Sequence, residues 1–192
     1  MKNRLPLLVP DGLDKVQRAL YDRIAKSVEP WAKKSGFATV DRDGSLLGPF
    51  NALLYSPTVS TASMDYFDSD RAHSTLSASV REIIILTVAS FFGSPYEIYA
   101  HTLVASKMSV DAKAIQAIVA DKVTTENSMS DSERLAFLFA HAFLHDHRVP
   151  AELYSRVEQT FGRQGVMDMV HLTSLYMMTS MLLNVFEIAA PG

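Results

Sequence analysis

Two acidic residues and a histidine in the middle of the chain have the types and spacing needed for proton transfer. Glu97 and His101 are four residues apart, so they share one face if their segment is helical. Glu82 lies in the preceding segment, and the Gly93-Ser94-Pro95 turn would let the two segments run antiparallel. The three side chains would then meet near the turn. A carboxylate beside an imidazole sets its tautomer and raises its pKa, which suits general acid–base catalysis.

A purely structural interpretation of the same residues is also open. Ser79 followed three residues later by Glu82 has the form of a helix capping box, which would occupy that carboxylate. Glu97 and His101 could form an ordinary surface pair, stabilising their helix by a few tenths of a kcal/mol, roughly. Spacing alone does not separate a catalytic group from these two local roles.

The elements that must position these groups are predicted to be helices throughout. Glycine and proline fall between segments with apolar residues at helical spacing, and no alternating strand pattern with hairpin turns is seen. The run Ile83–Ile85 would suit a strand in isolation, but Ser79 as a cap and the segment length favour a buried helix. The predicted helices cover residues 14–34, 49–56, 58–70, 80–92, 95–107, 109–119, 133–146, 150–161 and 165–186.

The composition excludes several classes of function. The 192 residues include no cysteine, which rules out disulfides, thiolate nucleophiles and zinc–thiolate sites. A net charge of -3 gives no reason to expect nucleic acid as a partner. The apolar stretch 166–188 carries polar side chains such as His171 and Asn184, so it makes a poor membrane span. We predict a cytoplasmic protein with an N-terminal helical extension, 1–47, and a main domain, 48–192.

Several segments in order resemble the carboxymuconolactone decarboxylase family, whose superfamily includes the alkylhydroperoxidase D-like peroxidases. The resemblance covers roughly residues 46–190. It is carried by Gly48–Pro57, Arg81–Leu86, Ser94–His101, Arg163–Val166 and Met181–Glu187. It implies an all-α helical bundle with a central helical hairpin. It also implies homo-oligomers, trimers or hexamers with a dimer possible, and active sites near subunit contacts.

The resemblance also implies where this chain departs from the peroxidase branch. That branch uses a glutamate, a Cys-x-x-Cys pair and a histidine, which fall on Glu82, on Ser94 and Glu97, and on His101. Serine and glutamate cannot form or resolve a sulfenic acid, so no thiol peroxidase activity is expected. The remaining acid–base groups are closer to the decarboxylase branch, which works without a cofactor on a lactone acid.

These observations predict a cofactor-independent lyase or isomerase acting on a small lactone-like or keto acid. His101 would be the general acid–base, Glu82 its orienting partner and Glu97 a second proton group. No arginine stands out as a substrate clamp, although Arg81 adjoins the proposed site. The candidate substrate-binding residues are Asn51, Tyr55, Ser94, Tyr96 and Tyr99. Asn51 and Tyr55 could instead tie down their loop, and Ser94 could cap a helix.

Two other interpretations remain. The chain could be a catalytically inactive member kept as an oligomeric binding scaffold, or a metal-dependent enzyme using the glutamate–histidine cluster. His141 and His145 are also four residues apart, and two imidazoles one helical turn apart can bind a metal. The same two residues occupy a predicted last helical turn, where a cation favours the helix dipole. We therefore expect no resident metal.

Overall fold

A computed structural model describes residues 4–122 and 128–191 and confirms the all-α fold class. A short 3-10 turn, Pro10–Gly12, precedes the α-helices. In the described part of the chain these are α1 (Lys15–Ser35), α2 (Pro49–Leu53), α3 (Pro57–His73), α4 (Ala78–Phe91), α5 (Pro95–Lys107), α6 (Ala112–Val119), α7 (Asp131–Asp146) and α8 (Ala151–Val185). One isolated antiparallel bridge pairs Val40 with Leu46 between α1 and α2.

Helix α4 is the centre of the molecule. Its residues from Ile83 to Val88 are all buried, and it packs against α5, α6, α7 and α8. A helix with an apolar side chain on every face can be stable only when neighbours cover all of them. The turn after α4 closes with a hydrogen bond from the Ser94 amide to the Ala89 carbonyl, and Pro95 occupies the first turn of α5. Helices α4 and α5 thus form the central hairpin.

The starts of two helices differ from the prediction. Helix α4 is capped by Ser77, whose Oγ accepts a hydrogen bond from the Val80 amide, so the predicted capping box of Ser79 and Glu82 is absent. Helix α6 begins at Ala112, three residues after the predicted start at 109, and is capped by Asp111. At the start of α7, Ser130 and Glu133 form a capping box. Glu82 is therefore free of a capping role.

Helix α1 covers one side of the hairpin. Asp14 and Gln17 form a capping box at its start, and Gly36 ends it in the left-handed conformation. Its apolar face packs against α3 and α5. The predicted first helix is confirmed, and its last turns lie directly over the region where α5 carries Glu97 and His101.

Helix α8 is two helical segments joined by a kink. Gly162 has φ 68° and ψ 173°, outside the helical region, and this matches the predicted break between 161 and 165. Among the described residues α8 is the one helix whose length and composition would suffice to cross a membrane. A single helix of this kind is weak evidence, because the core helices of globular proteins meet the same test.

Candidate active site

Glu82, Glu97 and His101 come together as the sequence predicts. The imidazole Nδ1 of His101 donates a hydrogen bond to Oε2 of Glu82 over 2.8 Å. On the other side of the ring, Nε2 of His101 lies 3.4 Å from Oε2 of Glu97. Helix α4 thus supplies one carboxylate, α5 supplies the other and the histidine, and the hairpin brings them to one place.

The cluster is almost completely shielded from solvent. Glu82 is 7%, Glu97 3% and His101 4% exposed. Oε2 of Glu97 is buried and has no hydrogen-bond partner among the residues described. A buried carboxylate oxygen without a donor is costly, which favours a carboxyl that holds a proton or meets a ligand.

Burial and charge shift both proton-carrying groups in the same direction. Burial raises the pKa of Glu97, and the negative charge of Glu82 adds to this while His101 opposes it. Burial by itself lowers the pKa of His101, but the carboxylates of Glu82 and Glu97 outweigh it and the net shift is upward. Glu97 and His101 therefore form a coupled pair that retains a transferable proton.

Beside the cluster lies a cavity of about 280 Å³. Glu97 and His101 lie in its wall, whereas Glu82 sits behind the imidazole. Its apolar wall comes from α1, the segment after α1, α2, α3 and α8, through Val28, Trp31, Phe37, Phe50, Leu53, Met64, Phe67 and Leu182. A mostly apolar hollow of this size with a few convergent polar groups is typical of a site for a small molecule.

Two of the polar residues in the cavity wall that were not predicted as site residues are Arg81 and Tyr176; the others are Ser60, Ser63, Asp68, Arg71 and Thr179. Arg81 donates from Nη2 to Oδ2 of Asp70 over 2.5 Å, and its Nη1 is buried with no hydrogen-bond partner among the described residues. Tyr176 of α8 packs its ring edge-on to His101, with centroids 5.0 Å apart. Burial raises the pKa of Tyr176 well above its ordinary value, so its hydroxyl remains a hydrogen-bond donor.

Only some of the predicted substrate-binding residues lie in the cavity wall. Tyr96 lies in the cavity wall. Asn51 instead exchanges two hydrogen bonds with the backbone of Leu8, and the Tyr55 hydroxyl donates to the Pro6 carbonyl. Asn51 and Tyr55 therefore tie down the N-terminal segment, which was the alternative interpretation.

Ser94 and Tyr99 also lie outside the cavity wall. The Ser94 hydroxyl is fully buried and donates to Oδ1 of Asn184 on α8, so it makes neither the predicted cap hydrogen bond nor a cavity contact. Tyr99 packs against Phe37 and Tyr96 from behind. Both residues support the site through packing and hydrogen bonds between helices.

The two carboxylates are not arranged to bind a metal together with His101. Glu82 and Glu97 lie against opposite nitrogens of the same ring, so one ion cannot contact all three side chains. This geometry suits proton transfer through the imidazole better than coordination.

Comparisons with known proteins agree with the all-α fold. Residues 57–140 match the Carboxymuconolactone decarboxylase family. No curated protein matches the sequence significantly. One similar solved structure is the alkylhydroperoxidase AhpD core, an uncharacterized peroxidase-related protein from Ralstonia eutropha JMP134. It is 15% identical in sequence and superposes with a TM-score of 0.76, and the match covers 98% of this chain and 92% of that one.

Two further solved structures have the same fold. An uncharacterized peroxidase-related protein from Silicibacter sp. TM1040 shares 16% identity and a TM-score of 0.68, over 99% of this chain and 92% of that one. A cysteine-to-alanine variant of the debrominase Bmp8, in complex with 2,3,4-tribromopyrrole, shares 14% identity and a TM-score of 0.72. The match covers 100% of this chain and 95% of the debrominase.

This chain is thus an all-α protein of the AhpD-like fold with a buried glutamate–histidine cluster. Over residues 57–140 its sequence matches the carboxymuconolactone decarboxylase family, and its fold is that of the peroxidase-related structures described above. Since the sequence contains no cysteine, this chain lacks the thiols on which a Cys-x-x-Cys peroxidase depends.

Proposed function

We propose that this protein is a cofactor-independent acid–base enzyme, a decarboxylase-type lyase or an isomerase, acting on a small lactone-like or keto acid. One observation carries the proposal: Glu97 and His101 share a wall of a largely apolar cavity, with Glu82 hydrogen-bonded to the far side of the ring. The absence of cysteine argues against a thiol peroxidase.

The proposed chemistry is a proton transfer at carbon. In a decarboxylation the bond to the departing carboxylate breaks, carbon dioxide leaves, and the electron pair moves into an enolate. The coupled Glu97–His101 pair then donates its proton to the carbon, and Glu82 keeps the imidazole oriented. The pair regains a proton from solvent after the product leaves. An isomerisation would use the same pair to remove a proton and return it at a neighbouring carbon.

Two further groups of the cavity wall would hold the substrate. Arg81 brings a positive charge with one unpaired nitrogen, which suits a carboxylate of the substrate other than the one that is lost. The Tyr176 hydroxyl is a protonated donor beside His101, which suits the oxygen on which the enolate charge develops. The apolar wall would exclude water from the reacting carbon.

We also propose that the enzyme is a cytoplasmic homo-oligomer. The support for the oligomer is a row of exposed apolar residues along one face of α8 after the kink. These residues are Met167, Val170, Met178, Met181 and Val185. Large apolar side chains that share one exposed face mark a protein–protein contact more often than isolated ones do.

A proton-exchange assay tests the proposed activity without knowledge of the physiological substrate. A panel of small keto diacids and unsaturated lactone diacids, each with the monomethyl ester of the carboxylate that is not lost, is incubated with the protein in D2O. NMR then measures deuterium uptake and carbon dioxide loss. We expect turnover of at least one acid, with Glu97→Gln and His101→Asn each reducing it by about 100-fold or more. Tyr176→Phe should reduce it by about 100-fold.

One control variant and one variant of a proposed substrate-binding residue complete this test. Tyr99→Phe removes a hydroxyl from an aromatic residue outside the cavity wall and should leave the rate unchanged. Arg81→Lys keeps a cation beside Asp70 but lacks the second nitrogen, so it should reduce the preference for acids over methyl esters. An unchanged rate in His101→Asn would refute the assignment, and an inert protein across the panel would favour a binding scaffold.

A further inference from the structure

A second cluster of ligating side chains lies away from the cavity, between the end of α6 and the last turns of α7. Asp121 follows α6, and His141 and His145 lie one turn apart on α7. Oδ1 of Asp121 is 3.3 Å from Nε2 of His145 and 3.9 Å from Nε2 of His141. None of the three lies in the wall of the cavity described above.

The distances between these atoms suit the coordination of one ion. One ligating atom from each of the three residues lies within 4.8 Å of the others. With metal–ligand bonds of about 2.0–2.2 Å, tetrahedral zinc places neighbouring ligand atoms roughly 3.3–3.5 Å apart. The Asp121–His145 distance already has this value, and a small rotation of His141 would bring its nitrogen into range. Two imidazoles and one carboxylate would leave a fourth position for water.

Both imidazoles lie side by side among aromatic neighbours. The rings of His141 and His145 stack with centroids 4.1 Å apart and an interplanar angle of 26°. The edge-to-face ring of Phe91 lies 4.9 Å from His145, and Phe137 lies 5.4 Å from His141. A turn of His141 out of this stack would direct both Nε2 atoms to one ion.

Asp121 is fixed by the backbone that ends α6. Its φ of 51° is left-handed, and its amide donates to the Ile118 carbonyl over 2.9 Å. The next amide, from Lys122, donates to the Ala117 carbonyl. These backbone hydrogen bonds place the carboxylate that follows α6 beside the two imidazoles of α7.

The cluster contains one imidazole more than an ion pair with Asp121 needs. A simple ion pair between Asp121 and His145 would not require a second, stacked imidazole beside it.

We propose that Asp121, His141 and His145 bind one divalent transition-metal ion, of which Zn²⁺ fits the ligand set best, and that this ion joins α6 to α7. Nitrogen and carboxylate ligands in this ratio are typical of zinc sites. The proposal does not depend on the acid–base function, since its residues and the cavity residues are separate.

Calorimetric titration of tag-free, chelator-treated protein with ZnCl2 tests the site. We expect one Zn²⁺ bound per chain and a higher melting temperature with Zn²⁺ than without it, because the ion binds only the folded arrangement. His141→Ala and Asp121→Asn should each weaken binding by about tenfold or more. His73→Ala removes an exposed histidine outside the cluster and should bind Zn²⁺ as the unaltered protein does.

His141→Ala and Asp121→Asn remove different ligands, so a folding defect in one of them would not account for weaker binding in both. Asp121→Asn preserves the size of an exposed side chain, so its folding should match that of the unaltered protein by circular dichroism. Co²⁺ in place of Zn²⁺ should give the visible spectrum of a four-coordinate site, and the Asp121→Asn variant should lose it. The proposal is overturned if the unaltered protein binds no Zn²⁺, or if both variants bind it with unchanged affinity.

Discussion

His101 is held between two carboxylates, and this arrangement determines how the site responds to pH. Its pKa in the folded protein is shifted upward from the ordinary value of 6.5, because Glu82 and Glu97 outweigh the effect of burial. The charged imidazole therefore stabilises the fold fully below pH 6.5, and this contribution is lost as the pH rises through the raised pKa. Burial also raises the pKa of Glu97 from its ordinary value of 4.5, so the folded state again loses stability as the pH rises through the raised pKa.

The carboxylates can be tested separately through the titration of His101. We expect Glu82→Gln to lower the pKa of His101 most, and Glu97→Gln to lower it by less, since each substitution removes a negative charge that favours the imidazolium. NMR titration of the ring protons measures this without a substrate, with the His101→Asn spectrum giving the assignment. Glu158→Gln, which alters an acid paired with Arg163, is the control. A pKa that stays the same or rises in both variants would contradict the electrostatic account.

Part of the site could be predicted at the level of single residues. The i, i+4 spacing of Glu97 and His101 on a helix, and a turn that folds α4 back on α5, are local features of the sequence. Tyr176 could not be found in this way, because α8 brings it to His101 across 75 positions of sequence and its neighbours are apolar. Arg81 adjoins Glu82 in sequence but did not stand out as a substrate clamp, because its ion pair with the buried carboxylate of Asp70 and its unpaired nitrogen depend on the packing of α3 against α4.

Among the elements, the start of α4 shows why helix caps are difficult to predict. Ser77 and Ser79 are both suitable capping residues, and only Ser79 has a glutamate three residues later. The helix nevertheless begins two residues earlier, which buries Glu82 beside His101 instead of leaving it at the exposed first turn. The packing of the whole helix determines where α4 begins, and the local capping motif does not predict this.

The start of α2 depends on one glycine packed against an aromatic ring. Gly48 has φ 62°, and a Cβ built on it would lie 2.2 Å from Cζ of Tyr96. Tyr96 is 2% exposed and lies in the cavity wall next to Glu97. The absence of a side chain at 48 therefore lets the loop before α2 pack directly on the ring of Tyr96.

Gly48→Ala should destabilise the protein by roughly 3 kcal/mol, from backbone strain and from displacement of Tyr96. The free energy of unfolding in urea measures this. Gly93→Ala is the matched control, since Gly93 also has a positive φ but has open space around its Cβ position, and it should cost about 1 kcal/mol. Equal losses in both variants would show that the contact with Tyr96 has no effect of its own.

At the scale of the whole molecule, the chain encloses a cavity and exposes an apolar row on α8, and Met178 belongs to both. Val28 and Trp31 of α1 and Phe37 after it lie in the cavity wall, so the segment predicted as an N-terminal extension covers the site. Its helix could be predicted from periodicity, but what the helix covers could not, because apolar spacing does not identify a partner. The proposed division at residue 47 remains a prediction.

The exposed face of α8 should determine the oligomeric state. Met181 is 59% exposed in the middle of the apolar row, so Met181→Glu would place a charge in a subunit contact. We expect a homo-oligomer by light scattering coupled to size exclusion, and a smaller mass for this variant. Ala151→Glu adds the same charge on α8 before the kink and should leave the mass unchanged. A monomeric unaltered protein would refute the proposed assembly.

The position of a carboxylate at each ring nitrogen of His101 has a consequence for repeated turnover. The imidazole has no empty side toward which it could usefully rotate, so its orientation is locked. When Nε2 gives up its hydrogen ion beside Glu97, the neutral ring keeps the one that Nδ1 shares with Glu82, so a single hydrogen ion from solvent restores it. The ring therefore meets every new substrate in the same orientation and need not be reset between one reaction and the next.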